Sequence, residues 1–221
     1  MTPPRAESRE PTAAELSYIH PTAKISPSAE IAPLVYIGPE VEIGAETIVA
    51  PLVTIFARVK IGARVRIGPG TVIGWEGFGY EAKDGFYHRI EHTGWVIIED
   101  DVEIGPNVTI AQAKTGRETR LGQGTKIDAL THIAHNVNIG KNCIIVAQSG
   151  VAGSSVIGDG VRIAGQCGVK DHITIGAGSI LYAKSALFRS IPPGSRYWGI
   201  PARPINQMQR FWARIWQQFA R

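Results

Sequence analysis

Val35-Tyr36-Ile37-Gly38-Pro39-Glu40-Val41-Glu42-Ile43-Gly44-Ala45-Glu46-Thr47-Ile48-Val49-Ala50-Pro51-Leu52-Val53-Thr54-Ile55 repeats one six-residue phrase. A large aliphatic residue recurs at Ile37, Ile43, Val49 and Ile55. The series extends back through Ile31 to Ile25 and forward through Ile61 and Ile67 to Ile73, nine positions without a miss. The register slips across an insertion, resumes at Ile98, Ile104 and Ile110, slips again, and then holds over twelve positions from Leu121 to Leu187. A second row lies two residues earlier and is small or β-branched, as at Val35, Val41, Val53, Cys143, Ser149 and Cys167. An amphipathic helix needs apolar spacings of three and four, which a strict six does not supply.

Both rows therefore point inward from flat faces, with one phrase per face. Three faces make a coil of 18 residues, and stacked coils pair as parallel strands about 4.8 Å apart. The twenty-four large aliphatic positions make eight coils and a prism about 38 Å long by that spacing. Glycine often follows the aliphatic residue, as at Gly38, Gly44 and Gly62, where the corner is expected to need backbone freedom. Cys143 and Cys167 fall in the inner small row and read as small buried hydrophobes. The organisation expected is a flexible segment 1–19, an all-β parallel β-helix over 20–190 and a C-terminal extension over 191–221.

Composition narrows the function. The 221 residues carry a net charge of +4 with no long Lys/Arg block, which argues against nucleic-acid binding. Two cysteines and no basic-then-apolar N-terminal pattern point to a cytoplasmic protein without a disulfide framework. No run of about 18 uncharged apolar residues suggests a membrane span.

A repeat explains its own regularity, so function is sought where it breaks or carries a reactive side chain outward. The insertion 75–95, with Gly77-Phe78-Gly79-Tyr80, His88 and His92, is too long for a corner. It should project, either as a flap over a neighbouring subunit or as a substrate-binding loop. The shorter excursion Ala111 to Arg120 reads as a solvated surface turn. In the tail, Met208, Phe211, Trp212, Ile215, Trp216 and Phe219 recur at helical spacing with Arg210 and Arg214 between them. Such a stripe packs on its own protein, docks a partner, or makes a peripheral membrane contact.

His132 and His135 flank Ile133, and His172 follows 37 residues after His135, two coils plus one residue. His135 and His172 should share a column about 10 Å apart. An outward imidazole in such a groove can take a proton near neutral pH; neutral imidazoles can also bind zinc. The zinc reading resembles the γ-class carbonic anhydrases, whose ligands include a pair five residues apart. Here Gly140 and Ala177 stand at those spacings.

The blocks His132-Ile133-Ala134-His135-Asn136-Val137-Asn138-Ile139-Gly140, Val151-Ala152-Gly153-Ser154 and Asp171-His172-Ile173, with Gly77-Phe78-Gly79-Tyr80 and Gly199-Ile200-Pro201, resemble the UDP-3-O-acylglucosamine N-acyltransferase family of lipid A biosynthesis. The resemblance spans roughly residues 20 to 220. It implies a left-handed winding, against the usual crossover hand, and transfer of a hydroxyacyl chain from acyl carrier protein to a sugar amine. By the same resemblance His135 is the general base, Gly153 the backbone oxyanion donor, His172 an assistant in the groove, and Asp128 a support for the base or the amine. Asn136, Phe78 and Tyr80 would contact substrate.

The resemblance further implies a homotrimer with active sites between subunits, a nucleotide-sugar acceptor, a donor carrying phosphopantetheine, no permanently bound cofactor and no metal. Arg203, Arg210, Arg214 and Arg221 would suit docking an acidic carrier protein. About 20 residues precede the first coil, so the family's separate uridine-contacting N-terminal domain is expected to be missing. Where the family reads Asp-Arg-Gly after the Thr-Ile of its middle coils, this chain has Ala111-Gln112-Ala113. The ending Gly199-Ile200-Pro201-Ala202-Arg203 resembles acetyltransferases of the same superfamily. An acetyl-CoA-dependent sugar N- or O-acetyltransferase, a γ-carbonic-anhydrase-like metalloenzyme and a non-catalytic prism therefore remain alternatives.

Overall fold

A computed structural model describes residues 16–219; residues 1–15 and Arg221, named above, lie outside them. Most strands are two residues long, such as Glu42–Ile43 and Ile139's Asn138–Ile139, and each ends on the large aliphatic of its phrase. Three parallel sheets result, of nine, eight and ten strands. Register is strict: Ile37 faces Ile55, Ile43 faces Ile61 and Val49 faces Ile67, each 18 residues on. The predicted faces all form, and Tyr18–Ile19 adds one before Ile25. At the far end the last sheet continues into Arg196–Trp198 and an antiparallel Arg203–Pro204.

From Val35 onward the large aliphatic row is buried, Ile37, Ile55, Ile133, Ile139 and Ile145 completely, while Ile25 and Ile31 of the first coil are half-buried. Each such side chain contributes about 1.5–3 kcal/mol relative to exposure. Cys143 and Cys167 are free thiols inside this core. Most polar members of the small row are hydrogen-bonded there, Thr131 being an exception among the described residues. The Thr47 hydroxyl donates to Gly62 O at 2.9 Å and accepts Val65 N–H at 3.1 Å, joining two coils.

The corners revise one expectation. The left-handed backbone falls three residues after the aliphatic, at Glu40, Glu46, Leu52, Asn136, Ser154 and His172, with φ between 56° and 64°. The glycine directly after the aliphatic is there for closeness instead. A Cβ on Gly44 would sit 2.5 Å from the carbonyl carbon of Gly62 in the next coil.

Both insertions leave the prism at the same edge, where the nine-stranded sheet turns into the eight-stranded one. The first runs between Val72–Trp75 and Trp95–Ile98, and the second between Thr109–Ala111 and Glu118–Leu121, one coil later. The next three coils place His135, then Gly153, then Asp171 and His172 at that edge. The first insertion projects as an exposed antiparallel hairpin, Tyr80–Lys83 with Phe86–Arg89. The second is only partly a solvated turn. Ala111, Gln112 and Ala113 are buried, and the Gln112 amide donates to Gly94 O at 3.1 Å.

Candidate active site

His135 is half-buried at this edge, one coil below Gly153. Its carbonyl accepts Ser154 N–H at 3.0 Å, and Gly153 O accepts His172 N–H at 3.1 Å, so the three corners stack in order. The imidazole lies under the Gly153 backbone; a Cβ there would be 2.7 Å from His135 Cε1. Glycine is needed here for that approach. Among the described residues no acceptor takes Gly153 N–H, whereas Ala152 N–H and Ser154 N–H are bonded to Val169 O and His135 O. At the equivalent corner position of another edge, Lys141 N–H is capped by Asp159 Oδ1 of the coil above at 2.7 Å. An open N–H beside an imidazole is the pairing acyl transfer uses: an acceptor for a proton and a donor for an oxyanion.

These groups border a cavity of about 730 Å³ between edge and hairpin, lined by Phe78, Tyr80, Lys114, His135, Gly153 and His172 among others. Phe78 is highly exposed and packs edge-on against Tyr80, with centroids 5.0 Å apart. A second cavity, about 620 Å³, shares Phe78 and Tyr80 and reaches Trp75, Arg89 and His132. His132 itself is engaged through Nδ1 with the Thr109 hydroxyl at 2.7 Å. His172 lies 4.0 Å from the Asp171 carboxylate, both largely exposed.

Burial first, then the nearby His92, Lys114, His172 and His132, push the His135 pKa down to about 4. Burial lowers that of His132 as well. At neutral pH His135 is therefore an unprotonated imidazole, the form a base requires.

Two expected site residues are placed otherwise. Asp128 stands at a different edge, between Lys126–Ile127 and His132–Ile133, and its carboxylate accepts Ala129 N–H at 2.7 Å and Ala147 N–H at 3.2 Å. Those backbone bonds tie it to the prism, and it does not border the cavity that holds His135. Asn136 does not line either cavity: its Oδ1 accepts Lys114 N–H at 2.9 Å and its Nδ2 donates to Ser154 Oγ at 3.4 Å. It fastens the second insertion and so sets Lys114 at the cavity.

Lys114 and His92 are the site residues that sequence reading missed. Insertions that leave the prism at the edge of His135 were the available signal, because both follow a strand of the same face. His92 is buried, and its ring centroid is 4.9 Å from that of His135. Among the described residues no group of three or more His, Cys, Asp or Glu could hold a metal ion.

The C-terminal helix, Ile205–Phe219, buries none of its residues. Phe211, Trp216 and Phe219 are more than half exposed, so the stripe does not pack on its own chain beyond contacts such as Met208 against Gly199. Arg203 is half-buried, while Arg210 and Arg214 are exposed. Among the described residues no helix is long and apolar enough to cross a membrane.

Fold and repeat make this chain a hexapeptide-repeat protein of the left-handed parallel β-helix class. The family model described as bacterial transferase hexapeptide (six repeats) matches residues 118–153. The chain is a homologue of the UDP-3-O-acylglucosamine N-acyltransferases. It is 40% identical to the one from Methylorubrum extorquens (strain PA1) over 153 residues, which is 69% of this chain and 42% of that protein. It thus spans about two fifths of the length of the curated relatives it matches. Among solved structures, a UDP-N-acetylglucosamine acyltransferase from Bacteroides fragilis 9343 superposes with a TM-score of 0.78 at 28% identity, over 86% of this chain and 72% of that one. The Francisella novicida UDP-N-acetylglucosamine acyltransferase gives 0.79 at 27% identity, over 86% and 68%.

Proposed function

We propose that this chain transfers a hydroxyacyl group from the phosphopantetheine thioester of acyl carrier protein to the amine of a UDP-linked 3-O-acylglucosamine. The observation that carries the reading is a neutral His135 beneath an open Gly153 N–H at the wall of one cavity. The amine nitrogen attacks the thioester carbonyl while His135 accepts its proton. The carbonyl oxygen becomes an oxyanion and takes the Gly153 N–H; removing one such donor typically costs about 10²–10³ in rate. Collapse breaks the carbon–sulfur bond, and the departing thiolate takes the proton from the His135 imidazolium. The products are an amide and a free thiol.

His172 and Lys114 face the same space and suit the anionic parts of donor or acceptor. Phe78 and Tyr80 offer apolar walls to the acyl chain. The basic Arg203, Arg210 and Arg214 suit an acidic carrier protein, and a homotrimer would place a neighbour's surface against the exposed hairpin. Asp128, held by backbone amides of its own chain, has no part in this reading.

The test is to incubate purified protein with UDP-3-O-acylglucosamine and either hydroxyacyl carrier protein or acetyl-CoA, and to follow product mass. An N-hydroxyacylated product from the carrier protein supports the reading. Transfer from acetyl-CoA alone would make the chain a sugar acetyltransferase, and absence of product from both donors would leave the proposed reaction without foundation.

A further inference from the structure

His92 is 1% exposed, and its Nδ1 lies 2.7 Å from Ile90 O. A carbonyl only accepts, so Nδ1 carries the proton and the lone pair of the neutral ring sits on Nε2. That Nε2 is buried without a partner, and so is His135 Nδ1; among the described residues only Thr131 Oγ1 shares this condition. The two rings touch, with centroids 4.9 Å apart and planes at 58°. One ring therefore has an unused acceptor, and the other has a buried nitrogen that needs an acceptor if its second nitrogen is to act as a base.

The loop that covers them is shaped for His92. A Cβ on Gly77 would meet His92 Cδ2 at 2.6 Å and His135 Cβ at 2.8 Å, and one on Gly79 would meet His92 Cε1 at 2.8 Å. The Gly-Phe-Gly-Tyr turn thus closes directly over the histidine pair. Lys114, His132 and His172 are the other cationic or titratable groups near His135. Lys114, Glu76 and Arg89 are those near His92, whose pKa is lowered mainly by burial.

We infer that His92 is a positioning residue for His135: its Nε2 accepts the Nδ1–H of His135 and holds the base in the tautomer whose Nε2 lone pair serves the cavity. The inference rests on the reading of His135 as the base. The bond forms as the ring torsions align when substrate fills the cavity, since catalytic hydrogen bonds tighten in the complex. Proton uptake at His135 Nε2 then strengthens the Nδ1–H donor toward His92.

The experiment compares wild type, His92→Phe and His92→Gln by kcat, KM and long-range 1H–15N spectra of His135 in the full chain with bound acceptor. Phe keeps a buried aromatic ring and removes both ring nitrogens, whereas Gln retains an acceptor oxygen. His92→Phe should lower kcat about 10- to 100-fold with KM within about threefold, as expected when a base loses its orienting partner. His135 should be Nδ1-protonated in wild type and shift toward Nε2–H in His92→Phe, and His92→Gln should restore kcat to within about fivefold. Wild-type kcat and an unshifted tautomer in His92→Phe would overturn the inference. So would an Nε2–H tautomer in wild type, which decides the matter even if His92→Phe does not fold. Transfer that survives His135→Ala would instead sink the base assignment, while the spectra still report whether the histidine bond exists.

Discussion

At the scale of single residues, the site depends on a contrast in solvation. His135 sits where burial and neighbouring cationic groups hold its pKa down to about 4, below the value of about 6.5 for an unfolded chain. Between these values the unfolded chain binds a proton that the folded one refuses, so this group withdraws stability as pH falls from about 6.5 toward about 4. The acid limb of the kcat/KM profile should lie well below 6.5, and removing the Phe78 side chain that borders the cavity should move it upward. A profile already falling at pH 6.5 would contradict the assigned environment. Gly153→Ala tests the close approach, because the new methyl lands 2.7 Å from His135 Cε1. Overpacking of this kind typically costs about 1–3 kcal/mol, and transfer should fall at least about 10²-fold through the displaced oxyanion donor. A melting curve and an initial rate check both. The column of His135 and His172 was readable from their spacing, and Gly153 was singled out through the family resemblance. His92 was not: its burial comes from a loop whose path no six-residue phrase dictates.

At the scale of elements, the hairpin and the prism divide the labour. The strands Tyr80–Lys83 and Phe86–Arg89 are exposed along their whole length, so they contribute little to the core and much to the cavity. Replacing residues 81–88 with a short Gly/Ser turn should leave the melting temperature within a few degrees, since surface changes usually stay within about 0.5 kcal/mol. Transfer should fall about 100-fold or more through lost substrate positioning. Equal activity in the two proteins would confine the hairpin to subunit packing. That an insertion projects is legible because 21 residues cannot be a corner. Its turn back over the histidines follows from the edge it leaves, which counting strands by face would have located. The second insertion was read as surface from Ala111 onward, yet the strand Thr109–Ala111 reaches into it and Gln112 is bonded inside. Asn136, named through the family resemblance, has its side-chain oxygen engaged with Lys114 N–H of the second insertion, a contact that the repeat alone does not announce.

At the scale of the whole molecule, stability is carried by stacked, nearly identical coils, each touching only its neighbours. Ile145 is completely buried and lies on the face farthest in register from the His135 edge. Ile145→Ala should cost about 2–5 kcal/mol in chemical denaturation and leave kcat of the folded fraction unchanged, so scaffold and chemistry separate. The fold was almost wholly legible because one side-chain row repeats in three unbroken runs and both slips between them mark real insertions. Winding hand came from resemblance, not from spacing, since either hand satisfies a period of six. Of the cavity that His135, Gly153 and His172 border, Phe78 and Tyr80 were named from the sequence, whereas Lys114 was not, because its place depends on the path of a segment outside the repeat. The account's central claim is that His135 takes the proton from the attacking amine, and the rate of acyl transfer by His135→Ala tests it most directly. The account predicts a fall in kcat of about 10²–10⁴-fold in a protein that melts like wild type; transfer within about threefold of wild type would contradict it.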